Sequence, residues 1–340
     1  MERRSPSVMG KRTISIGGAT YDLFVQTNSE VVQTIHDKKV FNLPLGEKLR
    51  VNNVIETCGG GASNTSVGLS RLGCDAKLCG VIGDDQWGEK LVENLKNEGV
   101  DTQCITIVEG EVSSFSIILS ASSGERTILY EPGTNEHLHD ANFHRDTLKD
   151  MDWVYLNHIQ EHSCVIQDDI IDILTSNDSI HFTWNPGGCQ IDIGIEEKHN
   201  RQLLSQTDLL LLNKEEALCF SKKENTEDAI RTFLDIGVKI VCVTNGSHGT
   251  TASDGKNLYH CPIIAGTKIV DTTGAGDAFG TGVTWALVEG NDLPTALRAG
   301  TINASSVVGV IGAQAGLLTD IKMKERLKEI QLDVAVNSLT

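Results

Sequence analysis

Near its carboxy-terminal end the chain reads Val270-Asp271-Thr272-Thr273-Gly274-Ala275-Gly276-Asp277-Ala278-Phe279-Gly280-Thr281-Gly282. Glycines at 274 and 276 remove side chains where the backbone would have to approach something closely. A helix beginning there aims unpaired N–H groups and the positive end of its dipole at that something, which makes an anion site. Asp277 stands at the mouth of the site. A carboxylate is a poor anion ligand and a good proton acceptor. An anion cradle of Gly274, Ala275 and Gly276 beside such a group suits phosphoryl transfer to a hydroxyl: the amides stabilise the moving group and Asp277 takes the proton.

A second glycine-rich stretch, Gly59-Gly60-Gly61-Ala62-Ser63-Asn64, would let a sugar ring lie against backbone, with Asn64 offering both a donor and an acceptor to hydroxyls. The plain alternative is a strand-to-helix turn with Asn64 near the cap. Asp22 follows the first strand. Aspartates there are commonly turn residues, but ligands of open α/β sheets gather at the carboxyl ends of strands. Two other chemistries are disfavoured. Phe279 stands where the dinucleotide fingerprint needs its third glycine, and no G-x-x-x-x-G-K-[ST] loop occurs. His158-Ile159-Gln160-Glu161-His162 spells H-x-x-E-H, but a strand-like run leads straight into it and no third ligand is evident, so it reads as coincidence.

The elements that must position these residues can be read from periodicity. The first strand covers 13–17. Helices are predicted over 65–72 and 85–98, with a strand at 76–81 between them, and the Asp277 turn has an apolar, strand-like approach at 268–270 and a helix over 278–289. From 153 onward strands and helices alternate, which implies parallel βαβ units. Two β-rich insertions, at about 23–55 and 102–131, would pack together as a small sheet at one edge. The expectation is a single α/β domain: a doubly wound, mostly parallel central sheet flanked by helices, with a small β-sheet lid.

D-T-T-G-A-G-D-A-F at 271–279 resembles the second signature of the ribokinase-like (PfkB) carbohydrate kinases. The run from Gly59 through Asn64 to Gly73 resembles their first, and the resemblance extends from about 14 to about 327. It implies a kinase using ATP and Mg²⁺, with a β-sheet lid over the acceptor site that often mediates dimers. Asp22, Gly59, Gly60, Gly61 and Asn64 would then hold the acceptor, and Asn157 and its neighbours would line its pocket. Asn213-Lys214-Glu215-Glu216 resembles the N-x-x-E motif, in which Asn213 and Glu216 would organise Mg²⁺ through water; otherwise Asn213 caps a helix. Thr244, Gly246 and Gly249 resemble a T-x-G-x-x-G segment that meets the nucleotide. Asn303 matches a position close to the adenine, or is a buried, satisfied Asn. Asp271, Thr273 and the carbonyls around 308–312, Gly312 among them, match the region where many relatives hold a monovalent cation such as K⁺; otherwise Asp271 caps the turn.

Composition bounds the partners. The 340 residues are 39% hydrophobic and 22% charged, with a formal net charge of −17. So acidic a chain has no general attraction for nucleic acid or anionic membrane. No apolar run approaches the ~18 residues of a membrane span. Nine cysteines without C-x-x-C spacing read as reduced thiols of a cytoplasmic protein. The absence of Lys or Arg from Gly59 to Asn64 argues for an uncharged acceptor, a neutral sugar first and a nucleoside second. A catalytically silent relative would be expected to lack the base or the anion cradle, and this chain keeps both.

Overall fold

The computed structural model describes residues 10–27, 31–35, 38–121, 126–140, 145–160 and 166–339, so Glu161 and His162 lie outside the described residues. Its strands, in chain order, are β1 (Arg12–Ile16), β2 (Thr20–Thr27), β3 (Val32–Ile35), β4 (Lys38–Phe41), β5 (Asn53–Gly59), β6 (Asp75–Gly83), β7 (Ile105–Val108) and β8 (Phe115–Ala121). There follow β9 (Arg126–Glu131), β10 (Trp153–Leu156), β11 (His181–Trp184), β12 (Leu209–Asn213), β13 (Ile240–Thr244), β14 (Thr250–Ser253), β15 (Asn257–Cys261) and β16 (Ala335–Ser338). The helices are α1 (Gly61–Arg71), α2 (Gln86–Asn97), α3 (Arg145–Lys149), α4 (Ile166–Ser176), α5 (Gly188–Ile193), α6 (Lys198–Gln206), α7 (Lys214–Ser221), α8 (Thr226–Ile236), α9 (Ala275–Val288), α10 (Leu293–Val307) and α11 (Asp320–Glu329).

Ten strands form one sheet in the order β16-β15-β14-β13-β12-β11-β10-β1-β6-β7. From β7 to β13 every pairing is parallel. Strands of such a sheet are buried on both faces and read as continuous apolar runs. The run 209–212 shows why: Leu210 and Leu212 face one core with Phe220, Ile230 and Phe233 of α7 and α8. Leu209 and Leu211 face the other with Phe279, Val283 and Leu297 of α9 and α10. Helices on both faces make the sheet doubly wound. The antiparallel extension β14-β15-β16 was not apparent from the sequence; these strands are short, polar and mixed in pattern.

A four-stranded sheet, ordered β5-β2-β8-β9, joins the two predicted insertions. It is mixed, with β2 parallel to β8 and antiparallel to β5. Trp87 of α2 stacks between Tyr21 of β2 and Phe115 of β8, at 4.9 and 5.1 Å, and fastens this sheet to the body. Two expectations are corrected. Residues 105–108, grouped with the lid by sequence, form β7 and pair with β6 at the edge of the large sheet. Residues 268–270 are not a strand; Ile269 is 66% exposed, and the N–H groups of Val270 and Asp271 both donate to the carbonyl of Val308. Among the described residues no helix is long and apolar enough to cross a membrane.

Candidate active site

The turn ahead of α9 is built by Gly274, which caps the helix with φ 74°, a left-handed conformation that costs glycine nothing. The helix starts at Ala275, three residues earlier than periodicity predicts, so Asp277 lies in its first turn. Gly276 is exposed, and a Cβ built on it would meet no heavy atom within 4 Å. Packing within the protein therefore does not require glycine at 276; a ligand lying on the backbone would. Asp277 is half-buried and accepts a hydrogen bond from Asn64 Nδ2 at 2.8 Å. Burial pushes its carboxyl up to about 6, the Asn64 N–H pulls the other way, and the charge of Glu216 adds to the rise. Two signatures separated by 213 residues thus meet at one hydrogen bond.

Gly59 and Gly60, expected on the acceptor side, are required by the fold itself. Gly60 has φ 90°, and a Cβ there would lie 2.6 Å from the Gly18 carbonyl. A Cβ on Gly59 would lie 2.2 Å from Asp22 Oδ2, so this glycine makes room for the aspartate. Asp22 sits within β2 of the small sheet, not at the end of a central strand, because the chain passes directly from β1 into that sheet. It accepts from the Ser116 hydroxyl of β8. Burial pushes it up to about 6; the Ser116 bond opposes this and the charge of Asp271 adds to it. A cavity of about 170 Å³ opens beside these glycines, with Thr20, Gly60, Gly61, Tyr130, Asn135 and His158 on its walls. Asn157 does not take the wall position: it is 1% exposed, packs under Gly61, and donates to Ile16 O and Thr65 Oγ1. Its buried Oδ1 has no protein partner. His158, one residue on, does line the cavity, and burial lowers its pKa, which keeps the ring neutral. Tyr130 was expected to reach the acceptor from the lid and lies on this wall, whereas Thr20, Asn135 and Ser116 were missed by sequence reasoning; no motif marks them, and only the folded chain brings them here.

Of the residues expected to meet the nucleotide, Asn213 and Thr244 are register partners at the ends of β12 and β13. Asn213 caps α7 by accepting from the Glu216 N–H at 2.9 Å, and the Glu216 carboxylate accepts from the Asn213 N–H at 2.8 Å. The capping reading of Asn213 therefore holds. Glu216 engages only one oxygen in this box, and its field reaches Asp277. Among the described residues no group of three or more His, Cys, Asp and Glu could hold a metal. One free carboxylate oxygen suits Mg²⁺, which keeps several waters and binds through few protein ligands when substrate phosphates supply the rest. Gly246 is exposed with open space above it, whereas a Cβ on Gly249 would lie 2.3 Å from the Cys261 carbonyl, so Gly249 is a packing glycine. Asn303 is fully buried; its Nδ2 donates to Ala278 O and its Oδ1 accepts from Leu318 N. Both ends are spent inside the protein: one ties α10 to the first turn of α9, the other holds Leu318 in the segment before α11.

The residues matched to a monovalent cation are also engaged. The Asp271 carboxylate accepts from Thr273 N, Thr273 Oγ1, Gly312 N and Arg126 Nη1. Burial raises its pKa, but these bonds together hold it below the usual carboxylate value. Arg126, on β9, donates further to Thr273 Oγ1 and Thr272 Oγ1 at 3.0 and 2.9 Å. A guanidinium thus stands on Asp271 and Thr273, two of the groups matched to K⁺, and with it in place these side chains do not fit the ion.

Residues 29–320 match the pfkB family of carbohydrate kinases. A sugar kinase of Archaeoglobus fulgidus, named as uncharacterized, is 30% identical over 74% of this chain and 98% of its own. The ribokinase of Haemophilus influenzae is 27% identical over 85% of this chain and 94% of its own. Among solved structures, Arabidopsis thaliana ribokinase complexed with ribose and ATP superposes with a TM-score of 0.78 at 23% identity, covering 94% of this chain and 99% of that one. The Burkholderia thailandensis nucleoside kinase in complex with inosine gives 0.75 at 19% identity, covering 93% and 98%. With a ribokinase-like fold, both glycine-rich signatures at one site and a match across most of its length, the chain belongs to the pfkB family of carbohydrate kinases.

Proposed function

We propose that this protein transfers the γ-phosphoryl group of ATP to a primary hydroxyl of a neutral sugar, with Asp277 as the general base. The observation that carries this is the hydrogen bond from Asn64 to Asp277, which joins the acceptor-side turn to a carboxylate at the N-terminus of α9. The open backbone at Gly276 leaves room for the moving group against helix N–H donors. Asp277, with its pKa near 6, is ionised at neutral pH yet basic enough to accept a proton from the attacking hydroxyl. Asp22 and the acceptor glycines hold and orient the sugar, and Glu216 organises Mg²⁺. Mg²⁺ bound to the phosphates would neutralise charge on the transferred group. Thr244 and Gly246 flank the nucleotide.

The neutrality of the acceptor is supported by the cavity. The six wall residues named above bring no cation to meet a phosphate, and Asp22 beside them would repel one. Two relatives are named ribokinase and 5-dehydro-2-deoxygluconokinase, both sugar kinases by name. A nucleoside is the second reading, favoured by Tyr130 on the wall, where a base could stack. The eight cysteines among the described residues are all free, which suits a reducing, cytoplasmic compartment.

ADP release across a panel of free pentoses, free hexoses, nucleosides and sugar phosphates tests this reading. A free sugar should give the highest kcat/KM, and deoxy analogues lacking the hydroxyl held by Asp22 should be poor substrates. A sugar phosphate outperforming every free sugar and nucleoside would overturn the reading of the pocket.

A further inference from the structure

Asn64 can face Asp277 with either end of its amide. In the structure its NH₂ points to the carboxylate, and its Oδ1 accepts from Gln314 Nε2 at 3.3 Å. Gln314 lies between α10 and α11 and is 7% exposed. Its NH₂ also donates to Ser63 Oγ at 2.9 Å, and its Oε1 accepts from Asn94 Nδ2 of α2 at 2.9 Å. Its backbone is fixed too: the Gln314 carbonyl accepts from Arg71 Nη1 at 2.7 Å, and that guanidinium grips Glu98 through two bonds. Three amides therefore run head to tail, Asn94 to Gln314 to Asn64, and end on Asp277.

We propose that Gln314 is a positioning residue for the base, holding the Asn64 amide with its NH₂ turned to Asp277. An amide has an acceptor end and a donor end. Were Asn64 reversed, its NH₂ would meet the NH₂ of Gln314, and its Oδ1 would meet the Asp277 carboxylate. Both contacts are repulsive, and Asn64 is buried, so water does not relieve them. Gln314 is held in turn by Asn94, so the orientation at the base is set from α2. The other groups facing Asp277 are Glu216 of α7, whose charge raises its pKa, and the buried Tyr155 phenol of β10, which is neutral. A donor at Asn64 stabilises the ionised carboxylate; an acceptor there would favour its protonated form.

The catalytic consequence rests on Asp277 being the base, but the orientation is a property of the resting protein and can be read without turnover. The test is a ¹³C carboxyl titration of Asp277 in the full-length protein. Gln314→Met should raise its midpoint by about half a pH unit or more. Asn64→Ala should raise it at least as far, and the double variant should match Asn64→Ala alone, because Gln314 acts through Asn64. Asn94→Asp, a half-exposed change on α2, puts an acceptor where Asn94 donates, which turns the Gln314 amide and should shift Asp277 the same way, with the shift lost when Asn64→Ala is added. The acid limb of kcat should move with the titration while the KM for ATP stays put. An unmoved midpoint in Gln314→Met, or shifts from Gln314→Met and Asn94→Asp that persist without Asn64, would overturn the proposal. Turnover by Asp277→Asn reports separately on the base itself.

Discussion

Two carboxylates of this protein share a physical situation. Asp22 and Asp277 are each withdrawn from water, and each is pushed up to about 6 from an ordinary 3.8. On the proposed mechanism both must be ionised, one to accept hydrogen bonds from a sugar and the other to take a proton. The kcat/KM should therefore fall as pH drops through about 6, more steeply than one proton allows. Asp22→Asn should return that limb to a single-proton slope, with its main cost in acceptor KM; a one-proton limb in the wild type would separate Asp22 from function. The same shifts bear on stability. A carboxylate whose folded pKa is raised favours folding while protonated, and that contribution is lost as pH rises through the folded value. Asp22→Asn should therefore melt higher than wild type at pH 8, with the gap narrowing towards pH 4; a gap that widens on acidification would contradict the assigned shift. At this scale the sequence was informative about identity and silent about pairing. Asp277, Asn64 and Asp22 stand in recognisable motifs. Nothing local to either signature shows that Asn64 donates to Asp277, or that Ser116, in an unmarked strand, completes Asp22.

At the scale of elements, the start of α7 carries a reciprocal cap between Asn213 and Glu216 that uses one oxygen of the Glu216 carboxylate. Glu216→Gln keeps the cap and removes the charge. It should leave melting nearly unchanged yet raise the Mg²⁺ concentration needed for half-maximal rate. An unaltered magnesium titration would leave Glu216 with capping alone. Strand β9 makes the second link, through Arg126 to Asp271, Thr272 and Thr273. If this guanidinium supplies the positive charge beside the anion turn, wild-type rates should be equal in potassium and in a bulky organic-cation buffer of matched ionic strength. Arg126→Ala should then become stimulated by potassium. Strong stimulation of the wild type would mean that the ion displaces Arg126. The helix of α9 was legible because small residues precede an apolar run. Its true start was not, because Ala275-Gly276-Asp277 carries no helical period and the start is fixed by Gly274 packing on Ala313.

For the whole molecule, the alternating pattern after 153 gave the parallel sheet, since runs such as 209–212 can be buried on both faces only between helical layers. The β14–β16 extension escaped notice because antiparallel edge strands need no such runs. The small sheet was legible as two β-rich insertions, but its order, with β9 outermost, depends on pairings between distant segments. That outer strand leaves Ile128 and Leu129 about half exposed and one edge unpaired among the described residues. An apolar, unpaired edge is a surface for a second strand. A second copy of this chain pairing along β9 would cover both features. Leu129→Lys should convert a dimer to a monomer by light scattering; a wild-type protein that is monomeric at micromolar concentration would dismiss the idea.

The central claim is that Asp277 takes the proton from the acceptor hydroxyl. Its most direct test is the turnover of Asp277→Asn with the best acceptor, measured by ADP release at saturating ATP and Mg²⁺. The substitution keeps the shape of the side chain and its place in the first turn of α9 but cannot accept the proton. The expected result is a kcat lower by on the order of 10² to 10⁴, with ATP affinity little changed. A kcat within a few-fold of wild type would contradict it.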